Sequence, residues 1–113
     1  MKISKDETQQ FQNGATCLVH MYTFPSSKLG LVTAEISGRY PENGKIMNEV
    51  SDETYFVSSG SCTIHHETGD FSLGEGDVFF FPKGKWWWVE AEQLNIVVCT
   101  APPCEKEQHQ HLT

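Results

Sequence analysis

Glu53-Thr-Tyr-Phe-Val-Ser-Ser-Gly60 and Gly76-Asp-Val-Phe-Phe-Phe-Pro82-Lys-Gly84-Lys-Trp-Trp87 are the two stretches whose reading decides the fold. Each is a short β-patterned run closed by turn residues. Glycine releases a turn from the φ restriction, and proline stiffens a corner where a strand leaves its sheet. Between them, Ser61 to His66 alternates, with Cys62, Ile64 and His66 on one face and Thr63 and His65 on the other. Glu67-Thr-Gly-Asp70 then reads as a hairpin turn.

Outward from this centre the pattern repeats. Ala15 to Tyr22 and Leu29 to Ile36 are strand candidates, the second ended by Ser37-Gly38. Gly38 to Gly44 reads as a loop, Ile46 to Val50 as a short mixed segment, and Thr54 to Val57 as a strand. Val78 to Phe81 is apolar on both parities, which predicts cover on both faces. Trp86 to Glu90 and Leu94 to Thr100 read as a last strand pair. No apolar helical stripe occurs. Short strands with glycine punctuation predict an all-β sandwich or barrel. The 113 residues suit a single domain, with 1–13 as an N-terminal arm or edge strand and 104–113 as a polar tail.

Composition narrows the partners. Eight basic residues stand against fifteen acidic ones, a net charge of -7, and the lysines form no stripe. A nucleic-acid backbone or an anionic membrane requires a positive footprint, so neither is expected. No apolar run approaches membrane-spanning length, and the N-terminus does not read as a secretory signal. Cys17, Cys62, Cys99 and Cys104 show no Cys-x-x-Cys spacing and read as reduced thiols of a cytoplasmic protein, Cys62 as core.

The two motifs resemble those of the cupin family of small β-barrels. Glu53 and Gly60 stand six residues apart as in its first motif, and Gly76, Pro82 and Gly84 keep its second, with Trp87 at the histidine position. The resemblance implies a cupin-like β-barrel (a jelly roll, or double-stranded β-helix) with room inside for one small ligand. It also implies a homodimer and, in typical members, a divalent metal held by histidines and the glutamate. Here the histidine positions fall on Met47 and Glu49 or on Ile46 and Asn48, and none is histidine. Only Glu49 and Glu53 remain as oxygen ligands, so the expected cofactor is none, a divalent metal being disfavoured.

Candidate site residues follow from these positions. Glu53 points into the barrel by resemblance, as an acid/base group with Glu49 or as a hydrogen-bonded scaffold carboxylate. Arg39, the sole arginine, lies in the loop before the first motif, where its guanidinium suits a carboxylate or phosphate, or a salt bridge to a neighbouring acid. Asn48 suits hydrogen bonding to a polar ligand, or a solvent-facing strand position. Trp87 either stacks on a ligand or plugs the barrel. Trp86 and Trp88 would then face outward and need cover, from a subunit contact or the N-terminal arm. His65 and His66 point to opposite faces; whichever turns inward is an acid/base candidate, against a solvent-facing pair at a hairpin tip. His109 and His111 lie in a tail that is either solvated or folded over the barrel mouth, with Gln108 and His109 lining it.

Four functions fit these residues. The first is a metal-free barrel binding a polar small molecule, anionic or sugar-like, through Arg39, Asn48, Glu53 and Trp87. The second is an isomerase, epimerase or lyase using Glu53 in proton transfer with Glu49 or a histidine. The third is a divergent metal-dependent enzyme using Glu49 and Glu53 with histidines outside the motifs. The fourth is a filled barrel serving as an oligomeric scaffold.

Overall fold

The computed structural model describes residues 1–104 and 108–113. A short 3-10 turn, Lys5–Glu7, precedes ten strands. These are β1 (Gln9–Gln12), β2 (Cys17–Tyr22), β3 (Gly30–Tyr40), β4 (Lys45–Asn48), β5 (Asp52–Gly60), β6 (Cys62–His66), β7 (Gly69–Leu73), β8 (Val78–Phe81), β9 (Trp86–Ala101) and β10 (His109–Leu112). Every pairing is antiparallel, and the strands curl into the cupin-like barrel that the motifs predict.

β9 is the axis of the architecture. It pairs with β3, β4, β5 and β6 along its sixteen residues. The sequence suggests two strands here, but Ala91-Glu-Gln93 carries no turn residue, and the chain runs through as one. Inward-facing residues change parity along it, from Trp87 and Val89 to Leu94, Ile96, Val98 and Thr100. A strand alternates strictly, so an extra residue must be inserted between the two sets. The ladder shows it: Ile36 opposes Leu94 while Gly38 opposes Ala91. A second bulge lies on β5, where Val57 opposes Ile96 and Ser59 opposes Asn95. These bulges bend the sheet around a core that includes Ile36, Ile46, Val57, Ile64, Phe81, Trp87, Val89 and Leu94.

Other boundaries also move. β3 continues through Ser37-Gly38 to Tyr40, because Gly38 takes φ +109° at the bulge. The end of the polar tail is laid against the barrel: β10 pairs with β4, setting His109 opposite Asn48. Val78 and Phe80, expected to be covered, are 61% and 57% exposed, since β8 pairs only with β5 and presents alternate residues outward. Trp86 and Trp88 are covered by their own chain. Lys45 lies over the Trp86 ring at 3.9 Å, and Trp88 lies between the His65 ring and the Arg39 guanidinium.

Two glycines separate backbone conformation from crowding. Gly60 and Gly76 have similar positive φ, +84° and +89°, but a Cβ on Gly60 would run into the Gln93 carbonyl while one on Gly76 meets nothing within 4 Å. Gly76→Ala is expected to cost about 1 kcal/mol, the left-handed conformation alone. Gly60→Ala is expected to cost roughly 2 kcal/mol or more, with the steric contact added. Urea unfolding of the two variants checks the order.

Candidate functional site

The barrel encloses a cavity of about 570 Å³, a size that suits a small molecule. Its walls come from β1 to β3 and from the second half of β9, with Phe11, Val19, Met21, Val32, Ile96 and Val98 as apolar lining. One end is polar: Glu53 and Tyr55 from β5, Tyr40 from β3, and Cys104 and His109 from the tail.

Glu53 is the central group there. β5 alternation turns Glu53, Tyr55 and Val57 inward, leaving Glu53 only 3% exposed. Its Oε1 lies 3.0 Å from His109 Nε2. An ionised carboxylate only accepts, so in that state the imidazole Nε2 carries the proton. The other oxygen, Oε2, is buried with no hydrogen-bond partner among the described residues. Such an atom is costly to leave unmatched and is unusual in a native core.

Two tyrosines complete the polar end. Burial foremost pushes the hydroxyls of Tyr40 and Tyr55 well above the usual phenol value, so both stay protonated. Tyr40 accepts from Asn13 Nδ2 at 2.6 Å, and Tyr55 accepts from Trp87 Nε1 at 3.3 Å. Neither contact uses the hydroxyl proton, so each tyrosine retains a donor. Among the described residues, no lysine or arginine lines the cavity.

The remaining sequence candidates separate. Asn48 is 1% exposed and acts as a structural clasp. Its Oδ1 accepts from the Val50 and Ser51 amides, both at 2.9 Å, which fixes the amide so that Nδ2 faces Cys104 Sγ at 3.4 Å. Trp87, 1% exposed, fills the core beside Phe81, with ring centroids 4.4 Å apart, and does not line the cavity. Glu49 is exposed on the turn after β4, away from Glu53. Arg39 lies outside the barrel, its Nη2 donating to the Gly44 carbonyl at 2.6 Å and its plane over Trp88. His65 is also outside, bridging Asp70 and Glu90 at 2.8 Å each, while His66 turns inward against Phe79 and Phe81. Tyr40, Tyr55 and Cys104 are the site residues that sequence reasoning did not single out. The inward parity of Tyr55 relative to Glu53 was the available signal for one of them.

The metal centre typical of cupins does not fit these residues. Of the inward-facing positions, Ile46 and Trp87 offer no ligand atom, and the Asn48 amide is committed to backbone and thiol. What the described residues do bring together is a different group, Glu53, Cys104 and His109, with one ligand atom from each lying within 4.8 Å of the others.

Comparison with known proteins agrees with the architecture. A family profile described as a EutQ-like cupin domain matches residues 41–98. A variant of Streptomyces Pac13 bound to uridine has TM-score 0.87 at 18% identity, covering 99% of this chain and 89% of that one. Pac13 itself is described as a nucleoside dehydratase. KdgF from Halomonas has TM-score 0.76 at 16% identity, covering 89% and 94% of the two chains. Oxalate decarboxylase of Bacillus subtilis has TM-score 0.81 at 18% identity over 97% of this chain and 32% of its own. Curated protein sequences give no match.

The two adjacent histidines should titrate apart. Partial burial lowers His65, but its hydrogen bonds to Glu90 and Asp70 outweigh that and raise it above the ordinary value of 6.5. Burial lowers His66 below that value. His65 therefore contributes stability that is present below the ordinary value and is lost as pH rises through its folded pKa. His66 acts oppositely: the unfolded chain takes its proton first, so stability falls as pH drops below the ordinary value. Imidazole C–H NMR titration should place the His65 midpoint above 6.5 and the His66 midpoint below it.

Proposed function

The chain belongs to the cupin family as a EutQ-like cupin domain, and from that premise we propose that its barrel binds a neutral, hydroxyl-bearing small molecule of nucleoside- or sugar-like character. The observation that carries this reading is the buried Glu53 Oε2, which has no hydrogen-bond partner among the described residues at the polar end of the cavity. A ligand hydroxyl donating to it satisfies the atom. The Tyr40 and Tyr55 hydroxyls supply donors for the ligand's own oxygens, and the apolar wall suits a base or a sugar face. An anionic ligand is disfavoured, because Arg39 is outside the barrel and the cavity carries a carboxylate with no lysine or arginine among the described residues. The binding of uridine by a protein of the same fold supports the choice of probe.

A second reading rests on the contact between Glu53 and His109. A carboxylate and an imidazole hydrogen-bonded to each other at the end of a cavity can take a proton from one ligand atom and return it to another. That suits an isomerase, an epimerase or a lyase that eliminates water. Glu49 has no part in it, being exposed.

Isothermal titration with uridine and with neutral methyl glycosides tests the binding reading. At least one is expected to bind, and Glu53→Gln is expected to weaken it by about 10- to 100-fold, the worth of a hydrogen bond to a charged group. Tighter binding of uridine monophosphate than of uridine would contradict a site for neutral ligands. For the enzymatic reading, His109→Gln should abolish turnover of a bound substrate while changing its affinity less than tenfold.

A further inference from the structure

We propose that Glu53, Cys104 and His109 form a binding site for a borderline-soft divalent cation of the zinc class, held at the polar end of the cavity by the tail rather than by the cupin motif positions. The three donors are a carboxylate oxygen, a sulfur and an imidazole nitrogen, the set that suits zinc and cobalt better than magnesium or calcium. Their atoms lie within 4.8 Å of one another. A tetrahedral zinc with ligands at about 2.0–2.3 Å needs them about 3.3–3.7 Å apart, so side-chain shifts of about an ångström suffice.

A second observation points to a ligand at this place. Glu53 is 3% exposed, and its Oε2 has no hydrogen-bond partner among the described residues. A cation beside it would satisfy the carboxylate. The surroundings also hold the other two donors in place. Asn48 Nδ2 donates to Cys104 Sγ, and the Asn48 amide cannot turn away because its Oδ1 is held by two backbone amides. The Cys104 amide donates to Thr100 Oγ1 at 3.1 Å. His109 is fixed by the pairing of β10 with β4, its Nε2 facing Glu53. Partners of this kind orient ligands around a metal. Three protein ligands leave a fourth position for water or substrate from the cavity. Binding replaces the Glu53–His109 hydrogen bond and releases the thiol proton.

This proposal does not depend on the ligand reading, because its test contains no organic ligand. Cobalt(II), a spectroscopic stand-in for zinc, is titrated into the metal-free full chain. The expected result is saturation at one equivalent, with a thiolate-to-cobalt charge-transfer band and the visible bands of a four-coordinate ion, displaced by added zinc. Cys104→Ser should abolish the charge-transfer band, and His109→Gln should weaken cobalt binding at least tenfold. Cys17→Ser is the control. Cys17 lines the same cavity, but burial pushes its thiol up to about 12, and the band should survive its loss. A metal-free Cys104→Ser variant with the parent's near-ultraviolet circular dichroism excludes misfolding as the cause of a missing band. Absence of the band in the parent, or its persistence in Cys104→Ser, overturns the proposal.

Discussion

A carboxylate that is 3% exposed inside a largely apolar barrel cannot stand alone. Taking an ion out of water costs several kcal/mol even after relaxation, unless a partner compensates it. Glu53 has that partner in His109, which is 56 residues away in sequence and arrives only because the tail is laid against β4. Several other contacts serve the same end. Ser51 Oγ bonds to the Pro102 carbonyl and to Gln108 Oε1, and Asn48 reaches Cys104, so the turn between β4 and β5 grips the tail on both sides of residues 105–107. The tail strand thus closes the polar end of the cavity and completes the site.

The location of the cavity follows from what replaces the family's ligands. Ile46 and Trp87 are directly paired across β4 and β9 and pack where metal-binding side chains would otherwise converge. Trp87 has Phe81 and Tyr55 as aromatic neighbours, so that half of the barrel is filled. The open volume lies on the other half, between β1 to β3 and the part of β9 beyond its bulge. Glu53 sits at the boundary between the two. It is the retained motif residue that faces both the filled half and the open one.

Much of the fold was readable because it depends on local rules. The glycine and proline spacing of the two motifs, and the alternation of Cys62, Ile64 and His66, translate directly into turns and inward faces. The continuity of β9 was not readable, since the one-residue bulge within Ala91-Glu-Gln93 leaves no residue signature. Glu53 was legible through its motif position. The choice between a stacking and a plugging Trp87 was not, because it depends on the volumes of Phe81 and Ile46 around it. His109 could be named only as one of two open alternatives. Its register with Asn48 is a long-range pairing that no short pattern in a polar tail announces. Arg39 illustrates the reverse case. A lone guanidinium near a barrel loop suggested a ligand clamp, yet Trp88 on the neighbouring strand β9 gives it a stacking surface outside.

Glu53 and His109 form one interacting unit that ties the tail to the barrel. A double-mutant cycle on unfolding free energy, with Glu53→Gln, His109→Gln and the double variant, measures their coupling. A coupling of roughly 1–3 kcal/mol is expected, because each single change leaves the other group without its partner. Additivity within about 0.3 kcal/mol would contradict it, and would mean that His109 does not sit against Glu53 in solution.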